Sequence, residues 1–211
     1  MSNSIKRIVT PNVVTLLLFL LPATSSAGGQ LLMPVQTKDR LSTDELELTA
    51  IGRFGLVRKA RKTVPSHYHT GIDIKRPRPN YVDEPIYPIA RGTVISKRDD
   101  GPYAQLIIEH EIRGIRFWTL YEHLAGITVN VNSSVSPETP IGRFMNRKEL
   151  NRYGWQFDHV HFEVLRVRPM PLRPVPSTPE RFYSSYSLTC FSKAVLEKYF
   201  YDPVDFLRGD R

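Results

Sequence analysis

Cysteine is nearly absent: Cys190 stands alone in 211 residues. One thiol excludes an intrachain disulfide framework and any cysteine-rich zinc or iron–sulfur site. Long apolar runs are missing too. Val13–Leu21 is nine residues interrupted by Thr15, well short of the ~20 that a membrane-spanning helix needs. No internal repeat or low-complexity tract is present. Acidic residues are in deficit, 21 against 29 Lys and Arg, for a net charge of +8. Such a balance favours anionic partners, among them nucleic acid, a membrane surface or a cell-wall polymer, without choosing between them. Against these absences stands an ordinary globular composition, 41% hydrophobic and 24% charged, which argues against wholesale disorder. The length suits one domain, or one domain with appendages, and suffices for a core.

The N-terminus has the three-part pattern of a secretory signal. Lys6 and Arg7 precede the apolar run, and small residues, Ala23 to Ala27, follow it. Ser25 and Ala27 suit the −3 and −1 positions, so cleavage is expected after Ala27, with residues 1–27 as signal peptide. Gly28, not a cysteine, stands directly after that point, which argues against a lipoprotein anchor, and no stable membrane anchor is expected after cleavage. The mature chain then carries 27 basic and 21 acidic residues, or +6. An exported protein, periplasmic or extracellular, meets envelope polymers rather than nucleic acid, so no nucleic-acid partner is expected. Cys190 is expected to be a buried, unpaired thiol.

Beyond the signal the chain divides by pattern. Residues 28–65 form a mixed N-terminal segment, with a short helix expected around Thr43–Leu48 and a strand-like piece near Ile51–Arg58. Residues 66–167 read as short strands punctuated by Gly, Pro and Asn. The candidates are Gly71–Ile74, Gly92–Lys97, Gln105–Glu111, Ile115–His123 and His159–Val167, with hairpin turns at 99–102 and 113–114. This pattern predicts a mainly β, antiparallel domain. Lys148–Tyr153 is expected to form a helical turn. Five prolines between Arg168 and Pro179 forbid a regular helix or a central strand there. An amphipathic helix is predicted over Ser187–Phe200, capped by Ser187. Residues 168–201 thus form a Pro-rich and helical insertion, and residues 202–211 a closing segment.

Histidines recur on alternating positions. If His67–Ile74 is extended, His69, Gly71 and Asp73 share one face, and Ile72 and Ile74 the other. Tyr121 and His123 share a face of the next segment. In His159–Val164 the alternation is cleanest: His159, His161 and Glu163 face one way, Val160, Phe162 and Val164 the other. Neutral imidazoles and a carboxylate are good zinc ligands, and a catalytic zinc keeps a position open. His69, Asp73 and either His159 or His161 would make a three-ligand set. Each spacing alone also fits a solvated polar strand face; their joint occurrence in an exported chain with six histidines points to the metal.

These segments resemble the lysostaphin-type zinc metallopeptidases, the LytM-like cell-wall endopeptidases. His69-Thr70-Gly71-Ile72-Asp73 is similar to the family's H-x-G-x-D. Pro88-Ile89-Ala90-Arg91-Gly92-Thr93-Val94, Tyr121-Glu122-His123-Leu124 and His159-Val160-His161-Phe162-Glu163 follow in the family's order. Asp202 to Leu207 is similar to its closing D-P-x-x-[YF]-L. The resemblance covers residues 66–167 and 202–207. It implies a β-sheet peptidase domain with a substrate groove. It implies one Zn²⁺ held by His69, Asp73 and His161, with His123 and His159 as catalytic histidines. The substrate it implies is the peptide part of bacterial peptidoglycan.

Departures bear on substrate choice. The family's Gly-rich loop ending in Gly-Pro before H-x-H is here Arg152 to Asp158, with Trp155 and Phe157 as candidate groove residues. The segment Val129–Gly142 lacks the family's inner glycines, and the insertion exceeds the usual short hairpin. Other readings are structural: His110 as a core residue, Glu163 as a partner of a ligating histidine, and Asp158 as a turn residue. The functional expectation is an exported zinc endopeptidase cutting peptidoglycan peptides. The competing expectation is a non-enzymatic envelope factor of the same fold that binds wall or regulates another hydrolase; an envelope regulator is also a candidate partner.

Overall fold

The computed structural model describes residues 30–209. The expected signal peptide lies outside the described residues. Among the described residues, no helix is long and apolar enough to cross a membrane. The strands, in chain order, are β1 (Val57–Arg58), β2 (His67–Tyr68), β3 (Ile72–Lys75), β4 (Pro85–Ile86), β5 (Gly92–Arg98), β6 (Gln105–Ile112) and β7 (Ile115–Glu122). They continue with β8 (Ser134–Val135), β9 (Gly142–Arg143), β10 (His159–Leu165), β11 (Met170–Pro171), β12 (Tyr183–Ser184) and β13 (Phe200–Tyr201). Three helices, α1 (Arg147–Tyr153), α2 (Lys193–Tyr199) and α3 (Pro203–Arg208), are short.

The chain is mainly β, and its strand pairs are antiparallel. One seven-stranded sheet runs β13-β10-β7-β6-β5-β8, and β3 also pairs with β10. Strand β10 is therefore central, with β7 on one edge and β3 followed by β13 on the other. The β6–β7 hairpin turns on Arg113 and Gly114, both with positive φ, the backbone that a tight two-residue hairpin requires.

Period-two alternation divides the sheet into two faces. Ile72, Ile74, Val160, Phe162, Val164, Tyr121, Leu106 and Ile108 enter the larger core, which Met33, Val35, Ile86, Phe144 and Phe206 complete. On the opposite face Ile107, Trp118, Leu120 and Leu165 pack against Cys190, Leu196 and Phe200. The insertion thus covers the part of that face formed by Ile107, Trp118, Leu120 and Leu165. It is tied on by backbone, Lys97 N–H donating to the Glu180 carbonyl at 3.0 Å, and by Ser96 Oγ donating to the Tyr183 carbonyl at 3.2 Å.

Several local expectations shift. Residues 43–48 form turns rather than a helix, and only Val57–Arg58 of the 51–58 piece is a strand. The expected Ser187–Phe200 helix shortens to Lys193–Tyr199, because Ser192, whose Oγ accepts from Val195 N–H, caps it instead of Ser187. Its upstream end is a 3₁₀ turn over Ser187–Thr189. The single turn expected at 148–153 is a full helix α1, fastened by a capping box between Asn146 and Glu149, which satisfies otherwise orphaned N–H groups. Cys190 is a buried free thiol, and burial raises its pKa to about 11.

His110 is a core residue. It is 1% exposed, stacks on Phe117, and pairs with the Arg91 carbonyl and Thr119 Oγ1, both at 2.8 Å. Burial lowers its pKa to about 4. An unfolded histidine titrates near ~6.5, so between those values only the unfolded chain takes up the proton. Stability is therefore full above pH ~6.5 and falls as the pH drops toward 4, by on the order of 3 kcal/mol from this residue. Urea unfolding at pH 7 and 4.5 should show that His110→Gln has a smaller acid-induced loss than the parent. An equal loss in both proteins would refute this assignment.

Candidate metal centre

Strands β3 and β10 place the site through their register. Asp73 is the partner of His161, and Lys75 the partner of His159. Asp73, His159 and His161 point to the same face, as alternation predicts. His69 precedes β3 and reaches that face from the link between β2 and β3. Gly71 lies between the two motif residues, where a Cβ would strike the Phe162 carbonyl on β10. The glycine of H-x-G-x-D is thus needed for close backbone approach.

Three donor atoms converge. Asp73 Oδ1 lies 3.1 Å from His69 Nε2 and 2.9 Å from His161 Nδ1, and the two nitrogens are 3.0 Å apart. All three residues are at most 9% exposed. The remaining nitrogens are already engaged: His69 Nδ1 donates to the Arg53 carbonyl at 2.9 Å, and His161 Nε2 donates to Glu163 Oε1 at 3.1 Å. With those tautomers, two bare imidazole lone pairs and one carboxylate oxygen face a single point. Three acceptors so close repel one another unless a cation, or a shared proton, sits among them. The residues therefore fit a metal. His69, Asp73 and His161 can hold one divalent ion, and their N₂O chemistry suits zinc.

Electrostatics agree. Burial opposes the Asp73 carboxylate, yet the hydrogen bonds of His161 and His69 hold its pKa well below the carboxylate range. Burial also opposes charge on His161, but Asp73 and Glu163 on either side raise its pKa to about 10. Without metal, the charged His161 ring bridges the two carboxylates, Nδ1 donating to Asp73 and Nε2 to Glu163; a metal at Nδ1 would displace the proton there. Glu163 is fully buried and also accepts from Thr70 Oγ1 at 2.5 Å. Hydrogen bonds from His161 and Thr70 offset its burial and keep it ionised. It orients His161, as expected of a partner to a ligating histidine.

His123 and His159 sit beside this cluster, their ring centroids 4.8 Å apart in an edge arrangement. His159 Nε2 is 3.7 Å from Asp73 Oδ1. Burial lowers both pKa values, that of His159 to about 4, so both rings are neutral at pH 7. His123 adopts a left-handed backbone, φ 66°, and its Nδ1 donates to the Pro102 carbonyl at 2.6 Å. That contact helps to hold a left-handed backbone that is uncommon for a histidine. Phe157 and Tyr103 pack against the His123 ring at 5.0 and 5.9 Å. Trp155 instead meets Tyr81 and is 46% exposed.

The other expectations resolve as follows. His67 lies outside the cluster, paired with the Pro65 carbonyl at 2.8 Å. Asp158 is a structural partner rather than a ligand: its Oδ1 accepts from Arg76 Nε and Nη2 at 2.9 and 2.6 Å. Arg53 and Arg58 were not foreseen. Arg58 Nη2 lies 2.7 Å from Asp73 Oδ2, and no spacing in a basic stretch distinguishes that arginine from its neighbours.

A two-histidine, one-carboxylate cluster on one face of an antiparallel sheet, flanked by two neutral histidines, defines a metallopeptidase type of site. The family model of peptidase family M23 matches residues 67–174, and the chain belongs to that family. The lysostaphin and LytM resemblance fits this membership. Among solved structures, a zinc-containing peptidase from Vibrio cholerae is 28% identical over 67% of this chain and 39% of its own, with a TM-score of 0.45. LytU is 21% identical over 62% and 79% of the two chains, with a TM-score of 0.39. Pseudoalterin, an M23 metalloprotease from the deep sea, is 16% identical over 77% and 94%, with a TM-score of 0.35. The chain thus spans about two fifths of the Vibrio peptidase's length. A comparison with curated proteins finds no match.

Proposed function

We propose that the chain is an exported zinc metalloendopeptidase that hydrolyses peptide bonds of bacterial peptidoglycan. The observation that carries the reading is the convergence of His69 Nε2, His161 Nδ1 and Asp73 Oδ1 next to two neutral histidines. When bound, the ion supplies Lewis acidity toward a peptide carbonyl and toward water. His69, His161 and Asp73 hold it, and Arg53 and Glu163 fix the tautomers of the two imidazoles.

The His123 and His159 pair handles the protons. Partial burial keeps both rings neutral at pH 7, the form that accepts a proton. The pair takes a proton as the water oxygen bonds to the carbonyl carbon. It returns one to the nitrogen as the carbon–nitrogen bond breaks, giving a carboxylate and an amine. A ring N–H also hydrogen-bonds the carbonyl oxygen as it gains negative charge. Tyr103 and Phe157, packed on His123, limit water around the pair. The mature charge of +6 favours adhesion to an anionic wall.

Incubation of the zinc-loaded mature protein with purified peptidoglycan, followed by mass analysis, should release fragments with new peptide termini. A zinc-bound protein that yields no new termini from any wall type would instead indicate a wall-binding factor of the same fold.

A further inference from the structure

The metal cluster makes contacts outside the region that the family model matches. Residues 49–58 run alongside β3 and fasten it from its free edge. Thr49 N–H donates to the Asp73 carbonyl at 3.0 Å, and Asp73 N–H to the Gly52 carbonyl at 2.9 Å. Gly55 N–H donates to the His69 carbonyl, and His69 N–H to the Leu56 carbonyl, both at 2.8 Å. Both backbone groups of His69 and of Asp73, two of the three candidate ligands, are thereby engaged by this segment. The fit is close: a Cβ on Gly52 would lie 2.8 Å from the Asp73 carbonyl oxygen and 2.9 Å from its Cβ.

Two further contacts reach the side chains. The Arg53 carbonyl accepts from His69 Nδ1 at 2.9 Å, which leaves Nε2 as the bare nitrogen. Arg58 Nη2 donates to Asp73 Oδ2 at 2.7 Å, the two side chains being 19% and 7% exposed. Arg58 reaches it from β1, whose pairing with β2 sets Arg58 opposite His67.

We propose that residues 49–58 are an integral part of the metal centre and that Arg58 is its positioning residue. This inference rests on the proposed metal site. A carboxylate offers two oxygens and rotates freely about its last bond. With Oδ2 held by the guanidinium, Oδ1 alone faces His69 and His161, and the rotamer that presents it persists without metal. Arg58 acts through Asp73 and touches no substrate. A charged hydrogen bond to a partly buried carboxylate is strong and directional, which suits it to this task.

Zinc affinity by chelator competition, and the visible spectrum of the Co²⁺-loaded protein, test the proposal. Arg58→Met keeps the aliphatic stem and removes the donor. It should weaken zinc binding about ten-fold or more, the usual cost of losing a group that orients a ligand, and should alter the Co²⁺ absorption. Arg58→Lys restores a charge at the same edge and should recover part of the loss. Circular dichroism and melting of the metal-free variants separate this effect from unfolding; an unfolded Arg58→Met leaves the decision to Arg58→Lys, whose point charge should still bind zinc more weakly than the parent. Parent-like affinity and spectrum in the folded variants would overturn the positioning role while leaving the metal site standing. Failure of the parent itself to bind zinc would overturn both.

Discussion

His161→Ala abolishes zinc binding and peptide hydrolysis on the proposed reading, and the sheet survives. His161 supplies one of three converging donors, its Nδ1 2.9 Å from Asp73 Oδ1 and 3.0 Å from His69 Nε2. Two remaining ligands hold an ion too weakly for occupancy at micromolar zinc. Zinc at a hundred times its dissociation constant stabilises the parent by about 2.7 kcal/mol, and the variant loses this zinc-dependent rise in melting temperature. The substitution also leaves the buried Glu163 without its imidazole partner, a cost of about 1–3 kcal/mol. His69→Ala is the cleaner companion, since the partner it frees on its outer side is the Arg53 carbonyl. Metal content, melting with and without zinc, and hydrolysis of a wall peptide decide the matter. Full activity in His161→Ala would sink the mechanism.

His159→Ala and His123→Ala give the complementary result: zinc stays and hydrolysis falls about 10²–10⁴-fold, the usual contribution of a positioned acid or base. Neither ring belongs to the three-atom cluster, so metal stoichiometry is unchanged. Both rings are partly buried and neutral at pH 7 because desolvation disfavours their charged forms. The loss should appear in kcat, with the zinc dissociation constant within a few-fold of the parent. A variant of either residue that keeps its kcat, or that releases zinc as His161→Ala does, would remove that residue from its proposed role.

The shared face of the candidate site residues on β3 and β10 was readable before the fold because strand alternation is a local property. His159, His161 and Glu163 share a face for the same reason that Val160, Phe162 and Val164 enter the core. Alternation left His159 and His161 as alternatives; the family resemblance implied His161 as the ligand, and the structure brings His161, with His69 and Asp73, to one point. Alternation was less informative at His69, which precedes the regular strand. Helix boundaries moved where a different serine made the cap, Ser192 in place of Ser187. The insertion was recognisable by its prolines, but its covering of Trp118, Leu120 and Ile107 was not, since nothing local records which face a segment packs against.

Sequence by itself determined the class of this protein. One cysteine left histidine and aspartate as the candidate metal ligands, short punctuated strands set an antiparallel sheet, and the family resemblance of the ordered motifs named the candidate site. Tertiary structure alone decided the surroundings of that site. Arg58 meets Asp73 across 15 residues of chain, and Arg53 fixes His69 across 16, through an edge segment with no periodicity of its own. Such contacts depend on where the folded backbone carries a side chain or carbonyl. A periodic pattern encodes a face, whereas a single long-range hydrogen bond encodes nothing until the chain has folded.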